Sequence, residues 1–328
     1  KSMDAATIQK ALAHADPLVR VHALRVLREW KHDGTIFYPL IKAATKDPDA
    51  HVQRIATELL MSYPVMESVV TVLDVMRQTG QADTHLKYTT RLVLRNLMRH
   101  EDLMKQTRAK TWSESDEAAI AGTLIDVPSA EAALFLSSYL KTKSLAKEKT
   151  QLGYQQAIRF LPASQVDAFI LQAKSTTLPD VDQETMKFRG LQEGLASRGG
   201  KGSPAIFESW GKEIAENLLK KYPAGYRPVS EEIFNQQKFA LQLAGDYKAR
   251  GKEESVRAFI DGSNKVHPEL VATALRAIFK MGSEQVYPLA GQYLGADSTG
   301  QELRKLVVAV LGEFPTAASL KVLAGITK

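Results

Sequence analysis

Cysteine is absent from the sequence. That excludes disulfides, thiolate metal sites, cysteine nucleophiles and the CxxCH attachment of a c-type haem. Long apolar runs are missing too. None approaches the roughly 18 residues that cross a bilayer, and Leu306–Leu311 reads as part of an amphipathic helix, so no membrane insertion is expected. Strand signals are scarce, and aromatic residues make up only 7% of the chain.

Charge of one sign is not concentrated anywhere. The formal net charge is +6, from 43 Lys and Arg against 37 Asp and Glu. The basic excess is mild over residues 1–110 and 201–328 and gives way to a slight acidic excess between them. That pattern fits a solvated surface of mixed sign better than a basic arm for nucleic acid. The N-terminus, KSMDAATIQ, has no basic-then-apolar leader, so no signal peptide is read. A chain opening on Lys rather than Met is expected to be a mature product or an excised piece, which leaves its compartment open.

What the sequence does contain is a repeat. Val19-Arg20-Val21-His22-Ala23-Leu24-Arg25-Val26-Leu27 lies over Val52-Gln53-Arg54-Ile55-Ala56-Thr57-Glu58-Leu59-Leu60 at an offset of 33. Apolar residues match at Val19/Val52, Ala23/Ala56, Val26/Leu59 and Leu27/Leu60, and each segment is entered by Asp-Pro (Asp16-Pro17, Asp47-Pro48). Val19, Ala23, Val26, Leu27 and Trp30 share an arc of about 100° on a helix, the stripe of a packed helix. The register continues through Leu86, Thr90, Val93 and Leu94, then loosens after His100. It returns near the end, where Leu270, Ala274 and Ile278 match Leu303, Val307 and Leu311 at the same offset. A self-match at this period marks stacked supersecondary units. The expected fold is all-α: an α–α superhelix, a solenoid of antiparallel helix pairs.

The expected organisation is one continuous solenoid with regular repeats over residues 1–100, degenerate helical repeats over 101–251, and regular repeats with a C-terminal cap over 252–328. Residues 197–204, SRGGKGSP, form the most flexible stretch, and a hinge is expected near Arg198–Gly202.

Three chemistries fail on spacing. A phosphate loop ending on Lys201 needs glycine at 195 and a hydroxyl residue at 202, after a strand; the chain has Leu195 and Gly202 after a helix. The seven histidines (14, 22, 32, 51, 85, 100 and 267) form neither H-x-x-x-H nor H-E-x-x-H, so no metal site is read. Glu114, Asp116 and Glu117 cluster at a helix start, where acids favour the dipole. No catalytic, metal-binding or cofactor-binding residue is assigned, and no cofactor is expected.

The register allows the outward face of the second helices to be read as columns: Val21, Arg54, Tyr88, Ala272, Lys305; Arg25, Glu58, Leu92, Arg276, Ala309; and Arg28, Met61, Arg95, Phe279, Gly312. A surface that tracks phosphates should be basic along a column, and none of the three is. With Arg91 added, the candidate interaction surface is Arg25, Arg54, Glu58, Tyr88, Arg91, Leu92, Arg95, Arg276 and Phe279. Arg54, Tyr88, Arg91 and Arg95 make a local patch.

Asp-Pro-Leu-Val-Arg at 16–20 and Asp-Pro-Asp-Ala-His-Val-Gln at 47–53 resemble the HEAT repeat in its short bacterial form. The resemblance implies that the Arg pairs with Asp residues of adjacent repeats in a ladder. Asp16, Arg20 and Asp49 match it, whereas Gln53 departs, so an incomplete ladder is expected. His85–Leu92 (HLKYTTRL) and Gly190–Gly200 (GLQEGLASRGG) resemble the helical segment of exported bacterial proteins that join a sugar-dehydrogenase-like β-propeller to a c-type cytochrome. That resemblance implies a connecting segment outside the cytoplasm, whose parent protein could be a dehydrogenase. The expected function is a non-enzymatic protein-interaction scaffold or inter-domain spacer, with a protein partner or neighbouring domains of the same polypeptide on its surface. The alternative is a DNA-binding HEAT-like protein of the DNA glycosylase type.

Overall fold

The computed structural model describes residues 4–30, 34–80, 82–176, 178, 180–200, 204–261 and 266–325. Regular structure among them is entirely helical. The first five pairs are α1 (Ala5–Leu12) with α2 (Pro17–Glu29), α3 (Gly34–Ala44) with α4 (Ala50–Leu59), α5 (Met66–Gln78) with α6 (Thr84–Leu97), α7 (Glu101–Ala109) with α8 (Glu114–Leu124), and α9 (Ala130–Tyr139) with α10 (Thr150–Phe160). Then come α11 (Ala163–Ser175), α12 (Val181–Ser197), α13 (Pro204–Lys221) and α14 (Glu231–Asp246). The chain ends in α15 (Glu253–Asp261), α16 (Pro268–Met281), α17 (Val286–Gly295), α18 (Gln301–Glu313) and α19 (Ala317–Gly325).

The helix starts follow from short polar side chains that accept otherwise unpaired backbone N–H groups. Asp16 caps α2 through the Leu18 N–H, Asp49 caps α4 through those of His51 and Val52, and Asp83 caps α6 through that of Leu86. Ser113, Ser129 and Ser230 do the same for α8, α9 and α14. Pro17 and Pro268 occupy the first turn of their helices, where a missing donor costs nothing. The run from Leu145 enters α10 through a break, not as continuous α-helix. Ala146 takes extended ψ, and Lys147–Lys149 form a single 3-10 turn before α10 begins. Lys149 is held there by its ammonium, which donates to the carbonyl of Gly122 on α8 at 3.1 Å.

The chain divides into two compact units, residues 1–173 with 189–200, and residues 174–188 with 201–328. In the first unit, α2 packs on α4, α4 on α6 and α6 on α8, while α5 packs on α7 and α7 on α9. The first three pairs also pack on their sequence partners, α1 on α2, α3 on α4 and α5 on α6, while α8 packs on α9; this is α–α stacking of neighbouring units. The buried face of α4 is Val52, Ile55, Ala56, Thr57 and Leu59. Each large apolar side chain removed from water in this way contributes on the order of 1.5–3 kcal/mol. On α2 the buried face is turned from the expected stripe: Val21 and Leu24 join Ala23 and Leu27 in the core, whereas Val19, Val26 and Trp30 are half-buried.

The repeat joint is made by Arg20. Its Nε and Nη2 donate to the two carboxylate oxygens of Asp47, both at 2.8 Å, and its Nη1 donates to the carbonyls of His14 and Ala15. The ladder partner is therefore Asp47, not Asp49, because the Asp49 carboxylate is occupied in capping α4. Gln53, the residue in register with Arg20, keeps only the loop contact, donating to the Thr45 carbonyl at 2.9 Å. Burial alone pushes the Asp47 carboxyl up, but the Arg20 guanidinium and the Asp49 N–H outweigh it and hold it below the usual carboxylate range.

In the second unit, α14 packs on α16 and α16 on α18, with α13, α15 and α17 alongside. The unit's start is irregular and is held by different means. Lys187 is fully buried; its ammonium donates to the Thr176 carbonyl at 2.5 Å, pairs with Glu184 at 2.8 Å and lies 5.2 Å from the Trp210 ring. Glu184 also accepts from Trp210 Nε1 and the Leu178 N–H. Phe188 meets Phe207, Trp210, Phe239 and Tyr247 edge-on.

Helix α12 contributes its residues 181–188 to the second unit and 189–197 to the first. Its Gly190 and Gly194 let it lie against the backbone of α10. A Cβ on Gly190 would come 2.2 Å from the Gln151 carbonyl oxygen, and one on Gly194 would come 2.6 Å from that of Gln155. Nothing short of moving a helix relieves such a contact. Gly190→Ala is therefore expected to cost about 1–3 kcal/mol. Gly291→Ala in α17, where nothing lies within 4 Å of the new methyl group, should be neutral or stabilise by up to about 1 kcal/mol. Urea unfolding of the two variants measures both.

Asp47→Asn should lower Tm at neutral pH, because it removes the acceptor of a bidentate charged pair. The Asp47 pKa is lowered on folding, so its contribution is present above the unfolded carboxylate pKa of about 3.9 and is lost as pH falls through the folded value. Melting curves of the wild type and Asp47→Asn should therefore converge in acid, and a difference that persists at the lowest pH would exclude this origin.

Candidate functional site

The outward columns fare differently in the two units. Two members of the first column, Val21 and Ala272, are core residues at 5% and 1% exposure. The reason at Ala272 is that α16 is covered by α14, α15, α17 and α18, which buries eight of its fourteen residues.

At the C-terminal end the candidate contact residues are already in use. Arg276 donates through Nε and Nη2 to the Glu313 carboxylate on α18, at 2.7 and 2.8 Å. Phe279 stacks on Phe314 with centroids 4.7 Å apart and meets Tyr287 edge-on at 5.3 Å. Glu313 is held below the ordinary carboxylate range chiefly by its bonds from Arg276. These two residues join α16 to its successors.

In the first unit they are not spent in this way. Arg25 and Arg91 are exposed, Arg54, Leu92 and Arg95 are half-buried, and Tyr88 is 69% exposed despite its size. Glu58 has only a loose pairing with Arg28, at 3.8 Å. Tyr88, Arg91, Leu92 and Arg95 follow one another at the i, i+3, i+4, i+7 spacing of a single helix face on α6. The structure adds Thr123 and Asp126, from the end of α8 and the turn after it, and the six residues line a hollow of ≈ 180 Å³. The Nε of Arg95, buried behind the hollow's surface, has no hydrogen-bond partner among the described residues.

Lys149 stands beside this hollow. Burial lowers its ammonium pKa, and the charge of Arg91 lowers it further, against the opposing pull of Asp126 and Glu148. Thr123, Asp126 and Lys149 escaped the sequence reading because the 33-residue register stops at His100. No signal in the sequence places the residues after α8 opposite α6.

Further hollows lie in the second unit. One of ≈ 450 Å³ is lined by Pro228, Val229, Ser230, Glu231, Phe234, His267 and Glu269. In it, His267 Nδ1 accepts the Glu269 N–H and so caps α16, while its ring meets Phe234 edge-on. Another, of ≈ 170 Å³, borders Glu184 and Trp210, whose polar atoms are consumed by the Lys187 cluster. Among the described residues no group of three or more His, Asp or Glu is placed to hold a metal ion, and no helix is long and apolar enough to cross a membrane. Residues 201–203 of the GGKGS run, and with them part of the expected hinge and flexible loop, lie outside the described residues. The adjoining Arg198 is anchored, donating to the Ile158 and Leu161 carbonyls at the end of α10 at 2.7 and 2.9 Å.

No protein-family model and no curated protein matches the chain. A solved structure described as a conserved phosphorylation switch controlling the interaction between cadherin and β-catenin aligns over 94% of this chain and 68% of its own, at 14% identity and a TM-score of 0.38. Similarity at that level transfers neither partner nor activity.

The contrast between the two ends of the chain can be measured. Phe279→Ala removes a stacked ring from the α16–α18 joint and should cost about 2–3 kcal/mol. Tyr88→Ala removes an exposed ring and should stay within about 0.5 kcal/mol of the wild type. Denaturant titration of the two variants decides it; equal losses would show that Tyr88 too is packed.

Proposed function

We propose that the chain is a non-enzymatic protein-interaction scaffold, or a spacer between domains, and that its contact face is the α6 side of the first unit. The observation that carries this reading is the exposure of Tyr88 beside arginines left without partners. Among the described residues Arg54, Arg91 and Arg95 have no ion pair, whereas Arg20, Arg77, Arg108 and Arg276 are all bonded to carboxylates. A large aromatic ring with an apolar neighbour, Leu92, and surrounding guanidinium groups is the composition enriched at the centres of protein interfaces. In a polypeptide of the propeller–cytochrome type that HLKYTTRL and GLQEGLASRGG resemble, this face would lie against a neighbouring domain.

The DNA-binding alternative draws on the same arginines. It requires basic side chains that follow a phosphate backbone from repeat to repeat, and Glu58 and Asp126 interrupt them here. A salt titration with duplex DNA separates the two. Binding whose logarithm falls steeply with that of salt favours the groove; its absence at low ionic strength removes that reading.

The scaffold reading is tested by placing a photo-crosslinking phenylalanine analogue at position 88 in the full-length protein in its native host. Protein adducts are expected at position 88 and not at Lys10, an exposed site on α1. Equal labelling at both sites, or adducts to nucleic acid alone, would refute it.

A further inference from the structure

A lone arginine on a solvated face needs no explanation. Two guanidinium groups on one small hollow do, because like charges held close together raise each other's energy unless something of opposite sign is shared among them. Arg91 and Arg95 line the hollow, and Lys149, which donates to the Gly122 carbonyl outside the lining, is near enough to feel the charge of Arg91. The only carboxylate in the lining is Asp126, which is exposed and makes no ion pair among the described residues. The lining holds two positive charges against one negative, with Lys149 and Glu148 close by.

Elsewhere the chain resolves such positions by supplying an acid from the neighbouring helix: Asp116 for Arg77, Glu131 for Arg108, Glu269 for Lys238, Asp246 for Lys280. At α6 the facing acid, Asp126 in the turn after α8, makes no such pair with Arg91 or Arg95 among the described residues. Arg95 Nε has no hydrogen-bond partner among the described residues, as is also true of Arg257 and Arg304 Nε in the second unit.

We infer that this hollow receives an acidic side chain, Glu or Asp, from an extended segment of a partner protein, with an adjacent apolar side chain of that segment resting on Tyr88 and Leu92. The hollow, at ≈ 180 Å³, is smaller than the roughly 300–1,000 Å³ of small-molecule sites, so it suits a single side chain. A carboxylate there would accept from the guanidinium groups of Arg91 and Arg95, which line the hollow, and answer the charge of nearby Lys149, making the charge-assisted hydrogen bonds that guanidinium groups favour. Burial and the charge of Arg91 hold the Lys149 pKa down, and an incoming carboxylate would raise it, so binding would be accompanied by stronger protonation of that amine. The inference rests on the scaffold reading and specifies the chemistry of the partner at its contact face.

The test uses the whole chain and two fluorescein-labelled peptides of repeating Glu-Leu-Glu and Gln-Leu-Gln, with a labelled oligothymidine as the third probe, followed by anisotropy at low ionic strength. The expected result has four parts. The Glu peptide binds at least about tenfold more tightly than the Gln peptide, a difference of about 1.4 kcal/mol. Arg91→Glu and Arg95→Gln each weaken it by about tenfold or more, and Lys10→Glu leaves it unchanged. Arg91→Lys restores part of the loss, and added salt weakens binding. Arg91 is exposed, so Arg91→Glu should melt like the wild type, which separates a binding defect from unfolding.

Equal affinity for the Glu and Gln peptides, no binding of either, or insensitivity to the Arg91 and Arg95 substitutions overturns the inference. So does an equal loss on Lys10→Glu, which would make the attraction diffuse. Tighter binding of the oligothymidine, abolished by the same substitutions, overturns it in favour of nucleic acid. Protein crosslinks at position 88 with no preference for the Glu peptide would leave the scaffold standing and remove only the acidic partner.

Discussion

A helix in this fold has no enclosing core to retreat into and must be covered by its neighbours in sequence. α4 is packed by α2 on one side and α6 on the other, as well as by its own partner α3. That requirement fixes the apolar positions and the 33-residue spacing, and it divides every second helix into committed faces and one remainder. The remainder is where a surface can differ from repeat to repeat without disturbing the stack. The committed faces supply stability in proportion to the apolar area they remove from water, so a repeat that loses its register must find that stability elsewhere.

The middle of the chain shows what such a substitute looks like. After His100 the repeated pattern fades, and in its place stand a buried ammonium, a cluster of aromatic rings and a glycine pair that brings two helix backbones together. The Lys187 cluster is stable only because every strong group in it is answered: the ammonium by a carbonyl, a carboxylate and a ring face, and the carboxylate by an indole N–H and a backbone N–H as well. A buried pair of this kind adds little net energy over an apolar replacement, but it tolerates no missing member. Gly190 and Gly194 act through shape alone. The segment GLQEGLASRGG, which stood out in the sequence as a resemblance, has a local steric reason for its first two glycines.

Much of this architecture was legible beforehand. The helices and their starts follow from the Asp and Ser caps, from Pro17 and Pro268, and from the recurrence of Val52, Ala56, Leu59 and Leu60 one period after Val19, Ala23, Val26 and Leu27. Less legible was which acid answers which base. Asp47 and Asp49 are chemically the same and two residues apart. Only the geometry of the turn sends one to Arg20 and the other to the start of α4. The columns failed for a similar reason at Val21 and Ala272, since a register says which residues correspond and not how many neighbours cover them. At the candidate site the sequence supplied Tyr88, Arg91, Leu92 and Arg95 because they lie on one helix. It could not supply Thr123, Asp126 and Lys149, which reach the same place across a stretch where the period is lost.

Charge pairing gives the surface its direction. At the α16–α18 joint Arg276 and Phe279 are spent on Glu313 and Phe314, so the residues that looked free for a partner are the ones that fasten the repeats together. At α6 the equivalent positions carry Leu92 and Arg95, and the acid that lines the same hollow, Asp126, pairs with no arginine among the described residues. Both arrangements satisfy the stack, because the stack depends on the apolar stripe and not on these side chains. The difference between them is therefore not imposed by folding. An exposed Tyr88 and guanidinium groups without an ion pair among the described residues add nothing to the stack; in the proposed reading a partner covers the ring and brings the missing charge. The physical asymmetry between the two ends of the chain, with side chains spent at α16–α18 and left over at α6, is what the proposed contact face rests on.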